Sequence, residues 1–268
     1  MDKDQMDPQQ VGAYWDENAP TWTELSRAGY DVYRDYLNTP AFLVMLGDIS
    51  NLKGIDLGCG EGHNTRLLAK RQAVMTAIDI SPRFIKYAHD VEDQEPLGIT
   101  YQVASATDLP FATGTFDFAT AFMSLMDIPD TELVFQEAYR VLKPGGFLQF
   151  SITHPCTTTP HRRNLRDATD LTYALELGRY FEYGTGQVEE WIFSAAPEEV
   201  KRTRRPFRVP VFHRTLSQWI NTVVVSGFVI ERVEEPRPTD ESVSQCPAVQ
   251  DAQIMPYFLH MRCRKPGL

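Results

Sequence analysis

A doubly wound α/β architecture is what the sequence predicts, and three observations carry it. Residues 47–152 alternate short apolar runs with amphipathic stretches, the rhythm of repeated βαβ units around a mostly parallel sheet. A glycine-rich turn, Gly58-Cys59-Gly60-Glu61-Gly62, stands where the first apolar run gives way to a helical pattern. After an interruption, strand and helix signals resume at about residue 215 and continue to the end.

The elements follow in order. Residues 1–46 are polar with aromatics at helical spacing, including Tyr14, Trp15 and Trp22, and read as a helical cap. Strands are expected at 52–57, 74–80, 99–104, 116–122 and 146–152. Ser81 before Pro82 should cap a helix, because a hydroxyl can accept the first free N–H and proline needs none. Asp130 should cap the next one, whose apolar face ends at Lys143-Pro144-Gly145-Gly146. Residues 153–214, rich in Pro and Arg, break the rhythm as an inserted lid, with a hairpin expected to turn at Gly184-Thr185-Gly186. A helix at 217–226, stopped by Gly227, and strands at 228–234 and 257–263 complete the core over 215–268.

Composition narrows the function. The 268 residues hold 26 Lys+Arg against 36 Asp+Glu, a formal net charge of −10, which disfavours a nucleic-acid partner. The start has no apolar leader and no stretch approaches the ~20 apolar residues of a membrane span, so a cytoplasmic protein with no membrane partner is expected. Four separated cysteines without a CxxC pair suggest neither a disulfide framework nor a zinc site, and no metal is expected.

The chemistry gathers at the glycine turn. Glycines there permit positive φ and let a ligand approach the backbone more closely than a Cβ would allow. A dinucleotide fingerprint would place its third glycine at position 63, which is His63, so pyrophosphate binding is weakened. Asp56 at the strand end would repel a pyrophosphate and suit an ammonium group, directly or through water. Asp79, seventeen residues beyond Gly62 at the end of the second strand, can accept both hydroxyls of a ribose.

The order of D-x-G-x-G-x-G at 56–62, Asp79, ATDLPF at 106–111, FDFATAF at 116–122 and KPGG at 143–146 resembles the class I S-adenosylmethionine-dependent methyltransferases. The group it is most similar to is the small-molecule, ubiquinone/menaquinone-biosynthesis-like type. The resemblance implies a Rossmann-like sheet of seven strands with helices on both faces, the last strand antiparallel. It implies S-adenosyl-L-methionine as cofactor and transfer of its methyl group to an O, N or C nucleophile of a small molecule. By the same resemblance Gly58, Cys59, Gly60 and Asn64 face the methionine part with Asp56 near its ammonium, and Asp79 holds the ribose. Ile80 packs on the adenine, Ala106 and Thr107 meet its edge, and Met123 and Ser124 line the methyl-transfer end. Tyr14 and Trp22 resemble the family's N-terminal lid.

Where the family has Gly-Asp-Ala, this chain has Ala104-Ser105-Ala106, so Ser105 replaces a carboxylate as acceptor for the adenine amine, which implies weaker cofactor binding. His154, directly after the fifth strand, is the candidate general base. His213 and Arg214 could anchor an acidic acceptor, and the basic run 201–205 reads as a solvated face. A monomer or homodimer is expected. An NAD(P)-dependent oxidoreductase and a non-catalytic nucleotide-binding protein are the alternatives.

Overall fold

The computed structural model describes residues 6–182 and 186–267. Its centre is a seven-stranded sheet of β1 (Lys53–Leu57), β2 (Val74–Asp79), β3 (Thr100–Val103), β4 (Phe116–Phe122), β5 (Leu142–Thr153), β10 (Val229–Glu234) and β11 (Phe258–Arg264), in spatial order β10-β11-β5-β4-β1-β2-β3. β1 to β5 run parallel, whereas β11 lies antiparallel between β5 and β10. This is the doubly wound architecture that the alternation implied.

Side-chain alternation along a strand sends neighbouring residues to opposite faces, and both faces here are apolar. On one, Phe118 and Phe122 of β4 pack with Phe42 and Leu46 of α2 (Thr39–Leu46), Leu68 of α3 (His63–Lys70) and Ile85 of α4 (Pro82–Gln94). On the other, Ala119 and Ala121 meet Val134 and Phe135 of α5 (Thr131–Val141) and Trp219 and Val223 of α7 (Leu216–Val225). Ser81 caps α4 as expected, its Oγ accepting the Phe84 N–H at 3.2 Å. Asp130 makes no side-chain cap on α5, a departure from expectation, and Lys143-Pro144-Gly145-Gly146 lies within β5 rather than ahead of it.

The first helix, α1 (Pro8–Arg27), starts at a capping box formed by Asp7 and Gln10. It bridges two parts of the molecule. Asp16 Oδ1 accepts from Ser81 Oγ at 2.7 Å and from the Arg83 N–H at 3.0 Å, where α4 begins. Asn18 exchanges two hydrogen bonds with the backbone of Arg208.

The inserted segment forms two small antiparallel sheets, β6 (His161–Arg166) with β7 (Thr172–Gly178) and β8 (Gln187–Trp191) with β9 (Phe207–Val211), with α6 (Glu198–Thr203) between the last two. The expected hairpin is therefore corrected: β8 pairs with β9, not with the residues before it, and Gly184 and Thr185 lie outside the described residues. A short helix, α8 (Asp240–Gln245), precedes the final strand. Among the described residues no helix is long and apolar enough to cross a membrane.

Candidate functional site

The carboxyl ends of β1, β2 and β4 meet where the strand order reverses, the place at which open α/β sheets bind ligands. The turn leaving β1 is pinned to β2: the N–H groups of Gly58 and Cys59 both donate to Ile78 O at 2.9 Å. Asp79 then fixes its shape, Oδ2 accepting the Gly60 N–H and Oδ1 the Ser81 N–H, each at 2.9 Å. Gly58 and Gly60 adopt φ of +73° and +56°. A Cβ on Gly58 would lie 2.5 Å from Ser124 Cβ, so this glycine lets the turn close on the end of β4, whereas a Cβ on Gly60 would meet no atom within 4 Å. The Gly60 backbone is thus a cradle open to a ligand.

A cavity of about 820 Å³ opens over this turn. Its floor includes Gly58, Cys59, Gly60, Asp79, Ile80 and Ser105. Its walls come from the cap, with Trp15, Trp22 and Arg34, and from the insertion, with Arg162, Trp191 and Phe193. The aromatic wall is continuous, Trp22 lying 5.3 Å from Trp15 and 5.0 Å from Phe193 between ring centroids. The cap is latched to the glycine turn at Glu61, which pairs with Arg27 at 2.9 Å and Arg34 at 4.0 Å.

Burial pushes the Asp79 carboxyl up to about 6, with the two N–H donors opposing the rise. A neutral ligand that donates hydroxyl groups can add to those donors. Ile80 and Ala106 supply apolar surface on the same floor. Open backbone at Gly60, an inward carboxylate and adjoining apolar surface together fit an adenosyl group with a short charged tail.

Of the other residues singled out from sequence, Trp22, Asn64, Met123 and Ser124 also line the cavity. Tyr14 does not; it lies 4.9 Å under the Arg208 guanidinium on the cap–insertion seam. Thr107 stands behind Ser105, the two hydroxyls 2.7 Å apart. Asp56 is set back beneath the turn, 1% exposed, its oxygens accepting from Thr65 at 2.5 Å and Thr120 at 2.8 Å. It braces β1 against α3 and β4 rather than facing the cavity.

His154 is turned away from the cavity and only 3% exposed. Its Nδ1 accepts the Cys156 N–H at 3.2 Å, which leaves the proton on Nε2, 2.8 Å from Glu235 Oε1. Neither nitrogen is free to take a proton, so the general-base expectation is corrected.

Several cavity residues went unnoticed in the sequence. Asp31 and Arg34 sit on the cap, Arg162 and Tyr257 on the far wall, and Asp127 directly beyond β4. Only Asp127, within three residues of Ser124, carried a positional signal.

Residues 55–150 match the family model of the methyltransferase domain. A ubiquinone biosynthesis O-methyltransferase of Xanthomonas oryzae pv. oryzae is 34% identical over 105 residues, 39% of this chain and 44% of the relative. One from Coxiella burnetii is 33% identical over 119 residues, 43% of this chain and 51% of the relative. The chain thus spans about half the length of the curated relatives it matches. Along nearly the whole fold it is similar to the crystal structure of an S-adenosylmethionine dependent methyltransferase from Mesorhizobium loti. That likeness has a TM-score of 0.68 and 27% identity, covering 84% of this chain and 96% of the other.

Proposed function

We propose that this chain, whose α/β core belongs to the class I S-adenosylmethionine-dependent methyltransferases, transfers a methyl group to a hydroxyl oxygen of a small, largely apolar molecule held under the cap and insertion. The observation that carries the reading is the Gly60–Asp79 cradle opening into an aromatic-walled cavity of about 820 Å³. Oxygen as the attacking atom is favoured by the likeness to O-methyltransferases.

The bound cofactor supplies an electrophilic methyl group on a sulfonium. The protein's work is then alignment and exclusion of water. Asp79 accepts from the ribose hydroxyls while keeping the Gly60 loop in place. Ile80 and Ala106 bracket the adenine, with Ser105 at its edge. Asp56 acts indirectly, by holding the strand end from which the turn departs. Trp15, Trp22 and Phe193 close the acceptor side, so the aromatic wall both shapes the acceptor and keeps water from the reacting atoms.

Calorimetric titration with S-adenosylmethionine, S-adenosylhomocysteine and NADH tests this. Micromolar binding of the first two with NADH silent is the expected result, followed by transfer of labelled methyl to a hydroxyl compound. Binding of NADH alone would overturn it.

A further inference from the structure

We infer that Asp127 takes the proton of the acceptor's O–H or N–H group as the methyl group is transferred, an assignment that rests on the methyl-transfer reading of this cavity. Asp127 ends the short 3-10 turn Leu125–Asp127 that follows β4 and lines the cavity. The same turn is fastened to the glycine cradle, since Ser124 Oγ donates to Leu57 O at 2.6 Å and Ser124 Cβ occupies the space that a side chain on Gly58 would need. Met123, just before it, holds φ of +53°, a conformation that L residues rarely adopt and that the surrounding packing must hold in place.

Three other acids on the cavity wall have partners, and a fourth, Glu189 on β8, is exposed to solvent. Asp79 accepts two N–H groups, Glu61 is paired with Arg27, and Asp31 faces Arg34. Among the described residues, the Asp127 carboxyl makes neither a hydrogen bond nor an ion pair, while its N–H donates to Ser124 O at 3.1 Å. The carboxyl is half-buried at the cavity wall, and the group positioned to donate to it is a ligand in the cavity.

The facing charge is Arg214, whose N–H groups are directed to the carbonyls of Phe212, Ile128 and Pro129. It therefore lends Asp127 a field and no hydrogen bond. Beyond it lie Asp130 and Glu132, which act on Arg214. Burial raises the Asp127 carboxyl well above its ordinary range, giving a stronger base near neutrality.

The step balances. The acceptor's O–H bond breaks, and its electron pair becomes the new bond from oxygen to the methyl carbon. The proton passes to an Asp127 oxygen, and the pair of the broken sulfur–carbon bond stays on sulfur. One anion and one cation are consumed together, a change that a desolvated cavity favours.

The test uses the full chain and its Asp127→Asn and Asp127→Glu variants, with catechol, 4-hydroxybenzoate and ethanolamine as donor probes. Affinity for S-adenosylhomocysteine should stay within about twofold in Asp127→Asn, while probe binding to the loaded protein falls at least about tenfold. With the best probe, kcat should drop by about 100-fold or more without change in KM for S-adenosylmethionine. The rise of kcat with pH should vanish, and Asp127→Glu should restore part of both. His154→Gln, at a histidine turned away from the cavity, should keep that rise. The Asn variant should melt no lower than wild type at neutral pH, because an ionised carboxylate whose folded pKa is raised destabilises the fold there. An Asn variant that keeps kcat and its pH dependence overturns the proposal. So does failure of all three probes to bind the loaded wild-type protein, whereas failure of S-adenosylhomocysteine itself to bind would defeat the cofactor reading instead.

Discussion

The α/β core and the inserted segment share one cavity but are held together differently. β4 and β5 are buried along most of their length between two helical layers. β6 and β8 are largely exposed; β6 is tied to the C-terminal part by Asn164–Asp251 at 3.0 Å, and the β8–β9 part packs on α1 through one cluster of Phe193, Phe207 and Leu25. Exposed pairs contribute little, so that cluster and the Asn18–Arg208 hydrogen bonds carry the β8–β9 attachment. The half of the site proposed to hold the cofactor rests on strands buried between two helical layers, and the half proposed to meet the acceptor rests on fewer buried contacts.

The sharpest way to break this comparison is a matched pair of truncations. Phe118 in the core and Phe207 in the insertion are both fully buried. Phe118→Ala should lower global stability by about 3–5 kcal/mol through the lost burial and the cavity left behind, measured by urea denaturation. Phe207→Ala should leave that midpoint nearly unmoved and instead remove hydrogen-exchange protection over residues 187–211. Equal losses of global stability would show that the two regions unfold as one.

Acid sharpens the core side further. His260 on β11 is buried, with Nε2 2.7 Å from Asn38 Oδ1, and burial holds its pKa down at about 4. Protons therefore favour the unfolded chain. Stability is full above the unfolded histidine value of about 6.5 and declines by up to about 3 kcal/mol as pH falls to about 4. Denaturation at pH 7 and pH 4.5 should show the decline, and His260→Gln should flatten it.

A smaller effect separates binding from folding. Asp79→Ala should weaken S-adenosylhomocysteine binding by about 1.5–3 kcal/mol in calorimetry. Its melting should change little, since the carboxyl it removes is already raised by burial to about 6. Unchanged affinity would remove the ribose role from Asp79.

The same division governs what the sequence disclosed. The sheet was legible because buried parallel strands are continuous apolar runs, and the cradle because glycines, a strand-end acid and Ser81 act on near neighbours. The insertion was obscure because its strands carry polar side chains, and because β8 pairs with β9 across α6 rather than with the residues next to it. His154 misled for a related reason: its partner Glu235 is 81 residues away, and a strand-end histidine reads identically whether it points inward or outward. Asp56 misled through its partners Thr65 and Thr120, which draw it beneath the turn. Asp127 was overlooked because an acid between apolar residues and a proline looks like any turn until the missing hydrogen bonds are seen.

The insertion leaves the core at the end of β5 and returns at Thr215, whose hydroxyl and Gln218 form a capping box that starts α7. Both attachment points are therefore fixed by the core. Closing a chain segment between fixed ends costs only about 0.6 kcal/mol more for each doubling of its length. The segment can accordingly lengthen or shorten with little closure penalty to the sheet, so that part of the cavity wall can change while the glycine turn and Asp79 stay as they are.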